Sequence, residues 1–155
     1  MAKVVKIKNA ECRGRKIMKI KFSDVEMAHD YVSSDQPLMN SAYISKRTGQ
    51  IYYHSELYDS DELPEDIYES DDYIEIPHKN DLDLGQHLVR QFVNREIPGL
   101  ADTVRGFFSR RGAYSKYRSF LERIGLLKKW YEFEETRTKE TLKEWCKENG
   151  IEIDC

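Results

Sequence analysis

The residues able to do chemistry in this 155-residue chain are four histidines, a dense run of carboxylates, and a basic run threaded with aromatic rings. General acid–base work needs a group that titrates near neutral pH and is held against a reacting partner, so His29, His54, His78 and His87 come first. None of them stands at metal-ligand spacing, and the sequence contains no G-x-S-x-G, H-E-x-x-H, kinase signature or glycine-rich phosphate loop. His78, close to the acidic run, is the least implausible general base; an ordinary surface histidine is the competing reading. The sequence leans away from an enzyme and indicates no cofactor and no metal.

The carboxylates concentrate in residues 55–83, which carry twelve acids and one base, a local net of −11. Oxygen ligands at this density can hold a divalent cation, but no D-x-D-x-D-G loop or helical ligand pair is present. A solvated linker or a mimic of phosphate charge fits better. Asp59, Asp61, Glu62 and Glu65 are the residues expected to contact a partner.

The cations form two blocks. Residues 1–22 carry eight bases and one acid, and residues 103–129 carry eight bases and one acid, +7 in each case. Such clusters neutralise phosphates, and aromatic rings stack on bases. Arg105, Arg110, Arg111, Lys116 and Arg118 are therefore the candidate contacts for an anion or nucleic acid. The phase of the rings speaks against stacking. At 100° per residue, Tyr114, Tyr117, Phe120, Leu121 and Ile124 share one stripe, as core residues do, while Lys116 and Arg123 fall on the far side.

Composition sets the frame for these groups. One domain spanning residues 1–155 is long enough to bury a core without staples. No apolar run approaches the roughly 20 residues of a membrane span, and the N-terminus lacks the apolar centre of a signal peptide. Cys12, Cys146 and Cys155 are odd in number and without ligand spacing, which fits a reducing compartment. The expectation is a cytoplasmic protein without a membrane segment.

Periodicity gives an α+β fold: a small antiparallel sheet in the N-terminal half and four to five helices in the C-terminal half. Residues 1–17 read as a strand or as a basic N-terminal extension, 18–77 as a β-rich part with an acidic loop at 55–72, and 78–155 as helical. Val5 and Ile7, and then Met18, Ile20 and Phe22, alternate with lysines as half-buried strands do. Ser23 to Glu26 looks like a capping box opening a helix that buries Val25, Ala28 and Val32.

Residues 42–45 and 50–54 flank a loop with Gly49 late in it, a hairpin signature. Residues 73–76 read as a further strand. Leu82, Leu84, Leu88, Val89, Phe92 and Val93 mark a largely buried helix, with Asp81 and Asp83 at its positive end. A phase change through Glu134–Thr138 predicts two helices or a marked bend, and Asn149-Gly150-Ile151 reads as a helix stop.

Three features together resemble an uncharacterised bacterial protein family of unknown function: a tyrosine–TG hairpin (Tyr43, Thr48, Gly49), a Gly-Ala-aromatic basic helix (Gly112, Ala113, Tyr114, Tyr117, Leu121), and a tail with Trp130-Tyr131, Trp145 and Gly150-Ile151. The resemblance runs from about Met18 to Ile153 and implies an α+β domain with no activity to carry over. The family tends to have Phe and Arg where this chain has Tyr114, Ser115 and Tyr117. The first function expected is a non-catalytic interaction or regulatory protein with a protein partner. The second is a nucleic-acid-associated protein using the basic 1–22 and 103–129 segments.

Overall fold

The computed structural model describes residues 19–57 and 63–154. The α+β expectation holds, with a three-stranded antiparallel sheet in the N-terminal half and helices dominating the C-terminal half. The expected strand at Val5–Ile7 and the alternative basic arm lie outside the described residues.

The chain packs as two compact units. The first contains the described residues up to Leu82 and from Thr141 onward; the second contains Asp83–Glu140.

In the first unit, β2 (Asn40–Ser45) is the central strand, flanked antiparallel by β3 (Ile51–Ser55) and β4 (Tyr73–Glu75). Successive side chains of a strand point to opposite faces, and the register sorts them cleanly. Ala42 stands opposite Tyr53, and Ile44 opposite Ile51 and Ile74, so one face is apolar. It packs on α1 (Phe22–Ser33), whose Val25, Ala28 and Val32 recur at helical spacing and are buried. Leu142, Cys146 and Ile151 complete this core. Each fully buried Leu or Ile contributes about 1.5–3 kcal/mol. The hairpin loop turns at Gly49, whose φ of 76° suits glycine.

The capping box is not formed. Helix α1 begins at Phe22 after Lys21, and no side chain caps it. Phe22 is drawn into the core, and the preceding β1 (Ile20–Lys21) is fixed by parallel pairing with β5 (Ile153–Asp154). Those contacts place Ser23 inside the helix rather than at its cap.

The second unit holds α2 (Gln86–Glu96), α3 (Ala101–Phe107), α4 (Ala113–Arg123) and the start of α5 (Leu127–Glu148). Its buried residues include Leu88, Val89, Phe92, Val93, Tyr117 and Trp130. Asp81 and Asp83 do not sit at the start of α2. Lys79–Leu82 forms a 3₁₀ turn, Asp83 takes a φ of 56°, and the helix opens after Gly85. Asp81 instead accepts the backbone N–H of His78 at 3.1 Å.

Gly112, at φ 73°, precedes α4, and Gly125, at φ 78°, ends it. The Leu126 N–H reaches the Leu121 carbonyl at 2.9 Å, and the Gly125 N–H reaches Glu122 at 3.2 Å, the double bond of a Schellman stop. Ile124, expected on the buried stripe, is 41% exposed because it lies past the last helical residue. The expected break through Glu134–Thr138 is also absent, for α5 runs unbroken over 22 residues. Good helix formers and the Glu135–Lys139 pair at 3.2 Å support the backbone there. The apolar phase shifts because Trp130 is a core residue of the second unit and Leu142 and Cys146 of the first.

Candidate interaction surfaces

Two of the four histidines are committed to architecture. His29 and His78 are both buried, so the surface-histidine reading of His78 is corrected. The His29 Nδ1–H donates to the Pro77 carbonyl at 3.0 Å. Burial lowers the pKa of this imidazole, and the Pro77 hydrogen bond opposes that only in part. For His78, Nδ1 accepts the Asn80 backbone N–H at 3.0 Å, which leaves the proton on Nε2. That Nε2–H donates to the Asp35 carbonyl at 2.8 Å. Both nitrogens are thus occupied by backbone partners, and neither is presented to a substrate.

His54 pairs with Glu56 at 3.2 Å on the edge strand, and His87 lies beside the Gln91 amide at 3.2 Å. Cys146 is buried, and burial pushes its thiol up to about 11, outside the range of a reactive thiolate. Among the described residues no three His, Cys, Asp or Glu side chains gather as metal ligands.

The second face of the sheet carries Tyr43, Tyr52, Tyr73, His54 and Glu75, because Tyr43 is the register partner of both Tyr52 and Glu75. Sequence reading missed this face, although a tyrosine on each of the three strands was its signal. Tyr52 and Tyr73 meet edge to face with centroids 6.2 Å apart, and Tyr43 meets Tyr68 in the same way at 5.9 Å. Burial pushes the Tyr43 phenol up to about 12.

Tyr68 belongs to the acidic segment, where Pro64–Ser70 makes a single helical turn. Ile67, 5% exposed, anchors that turn. The Tyr73 hydroxyl donates to Asp66 at 3.3 Å, and Asp72 pairs with Arg47 at 3.5 Å. Glu65 is exposed; Asp59, Asp61 and Glu62 lie outside the described residues. Leu57 and Tyr68, by contrast, are large side chains left 60% and 69% exposed.

The basic candidates do not converge on one spot. Arg105 is bound to Asp102 at 2.7 Å and borders a small cleft of about 100 Å³ floored by Val89, Val93, Val104 and Phe108. Arg110 and Arg111 are exposed in the turn between α3 and α4. Lys116 and Arg118, both exposed on α4, stand about 200° apart on the helix and cannot meet the same flat partner. What the structure does bring together is Lys116 with Arg123, in a groove of about 590 Å³ also lined by Phe107, Ser115, Ser119 and Glu122.

The rings of 114–133 serve mainly as packing. Tyr117 and Trp130 are buried, Tyr114 meets Phe108 at 5.0 Å, and Phe120 meets Phe107 at 5.4 Å. Tyr131 alone of this set is exposed, at 47%.

Comparison with protein-family models, curated proteins and solved structures returned no match. No helix among the described residues is long and apolar enough to cross a membrane.

Proposed function

We propose that this is a non-catalytic, cytoplasmic interaction or regulatory protein that docks a protein partner on its acidic segment. The observation that carries the reading is the exposure of Leu57 and Tyr68, at 60% and 69%, within the acidic segment 55–72. Carboxylates alone are comfortable in water and need no partner. Large apolar side chains left beside them supply the area that a protein interface buries, with the charges as its polar rim.

Ile67 pins the turn and Tyr73 bonds Asp66, so residues 64–70, Tyr68 among them, are presented on a support. The complementary surface is basic at its edge and apolar at its centre. The backbone partners of His29 Nδ1 and of both His78 nitrogens favour binding over catalysis at these residues. The same reading keeps the chain with the bacterial family of unknown function that its motifs resemble.

The test is affinity capture from cells that make the protein, comparing wild type with Leu57→Ser/Tyr68→Ser. One defined partner lost with the variant, while thermal unfolding stays unchanged, supports the docking surface. A partner retained in full by the folded variant overturns it.

A further inference from the structure

We infer that the groove between α3 and α4 is a binding site for single-stranded nucleic acid, independent of the acidic docking surface. Four observations build it. Lys116 and Arg123 line the groove together, and neither forms an ion pair among the described residues, unlike Arg105, Lys129 and Lys139. Ser115 and Ser119, one helical turn apart and exposed, add two hydroxyl donors along the same wall. Phe107 supplies an aromatic surface and is held by its contact with Phe120 at 5.4 Å. The groove's volume of about 590 Å³ is open enough for a ligand lying along it.

Two unpaired cations, hydroxyls and a ring are the chemistry of a phosphate backbone with a base stacked beside it. Spacing chooses the strand over the free nucleotide. Lys116 and Arg123 are seven residues apart, about 10.5 Å along the helix axis, which suits two phosphates of one chain better than one.

The turn between α3 and α4 also carries Arg110 and Arg111, both exposed, although neither lines the groove. Glu122 is the one acid in the lining and limits affinity. Overall charge is −3, but exposed charges act over only about 8–10 Å at ordinary salt, so the charges lining the groove, Lys116 and Arg123 against Glu122, weigh more than the net charge of the chain.

The experiment is fluorescence anisotropy of the full chain with a labelled single-stranded oligonucleotide and, separately, a labelled mononucleotide, across a salt series. Binding of the oligonucleotide should weaken linearly in log salt. Lys116→Gln/Arg123→Gln should flatten that slope by about 1.4, since each neutralised phosphate contributes about 0.7 for a single strand. Phe107→Leu should weaken binding about tenfold, within what one stacked base contributes.

Phe107 also packs on Phe120, so Ser119→Glu is the second variant. It adds a like charge to the groove from an exposed position and should weaken binding without altering the unfolding midpoint. Arg105→Gln, at the other cleft, should leave the slope unchanged. No binding at low salt, a slope indifferent to the groove variants, or equal affinity for the mononucleotide would each overturn the assignment. Loss of the protein partner in the docking experiment leaves this site intact, so the two readings fail separately.

Discussion

Tyr117 and Trp130 meet edge to face with ring centroids 5.1 Å apart, both shut off from solvent, and this contact ties α4 to the start of α5. Trp130 also meets Phe92 edge to face at 5.4 Å, which extends the contact to α2. Such pairs add roughly 0.5–1.5 kcal/mol beyond the area they bury. Rings used in this way are unavailable to a ligand, which is why the aromatic density of 114–133 is architectural and the groove depends on Phe107 from the preceding helix.

The Tyr117 hydroxyl gives the first prediction. It is buried and finds no hydrogen-bond partner among the described residues. Burial and the nearby Glu134 carboxylate raise its pKa, so it stays neutral. A buried hydroxyl without a partner costs about 1–3 kcal/mol. Tyr117→Phe keeps the ring contacts and removes that cost, so it should gain about 1 kcal/mol, seen as a higher urea midpoint with an unchanged slope. Trp130→Ala should lose about 3–5 kcal/mol by leaving a cavity. A destabilised Tyr117→Phe would mean that the hydroxyl has a bound partner.

Glycines in open space give a prediction whose sign depends only on the backbone. A Cβ placed on Gly106 or Gly112 would meet nothing within 4 Å, so sterics do not distinguish them. Gly106 lies inside α3, where alanine is preferred by about 1 kcal/mol, and Gly106→Ala should raise stability by roughly that amount. Gly112 holds a φ of +73°, a conformation that costs an alanine about 1–2 kcal/mol. Gly112→Ala should therefore lower the thermal midpoint where Gly106→Ala raises it.

Much of the frame was legible because its signals are local. Gly49 in the hairpin loop and Gly150 after α5 take positive φ where their neighbours require it, and Ile151 closes back on Cys146 at 2.8 Å. What failed depended on distant contacts. Ser23 carries every local mark of a cap, yet the pairing of Ile20 with Ile153 at the far end of the chain fixes the helix start two residues earlier. The apolar phase shift in α5 was a real signal, but of a change in packing partner rather than of a break. In the groove, the shared outward phase of Lys116 and Arg123 could be read from the helical wheel. Their company with Phe107 could not, because it requires the α3–α4 turn to fold back on itself.

His29 makes stability sensitive to pH. Burial, the largest cause, lowers its folded pKa below the ordinary 6.5; the Pro77 bond and Asp30 oppose this, and His78 and Lys79 reinforce it. Because the folded value lies below the unfolded one, the unfolded chain takes up the proton first. The stabilisation is fully present above about 6.5 and is lost as pH falls from there through the folded pKa. Urea unfolding at pH 7.5 and 5.5 should show a larger loss for wild type than for His29→Gln. An equal loss in both proteins would assign the acid sensitivity elsewhere.

Leu38 is the least expected residue in the chain. It is 80% exposed and holds a φ of +75°, in a turn closed by the Met39 N–H on the Gln36 carbonyl at 3.2 Å, with Pro37 ahead of it. Pro at the second position suits this turn type, but the third requires a left-handed residue, ordinarily Gly or Asn. Leucine there costs about 1–2 kcal/mol in backbone strain and recovers little by burial. Leu38→Gly relieves the strain and loses part of the gain to unfolded-state entropy, whereas Leu38→Asn relieves it at less entropic cost. Both should stabilise the fold, Asn by about 1 kcal/mol and Gly by somewhat less, as read from urea midpoints. If Leu38→Asn lowers the midpoint instead, the side chain is held by a contact worth more than the strain.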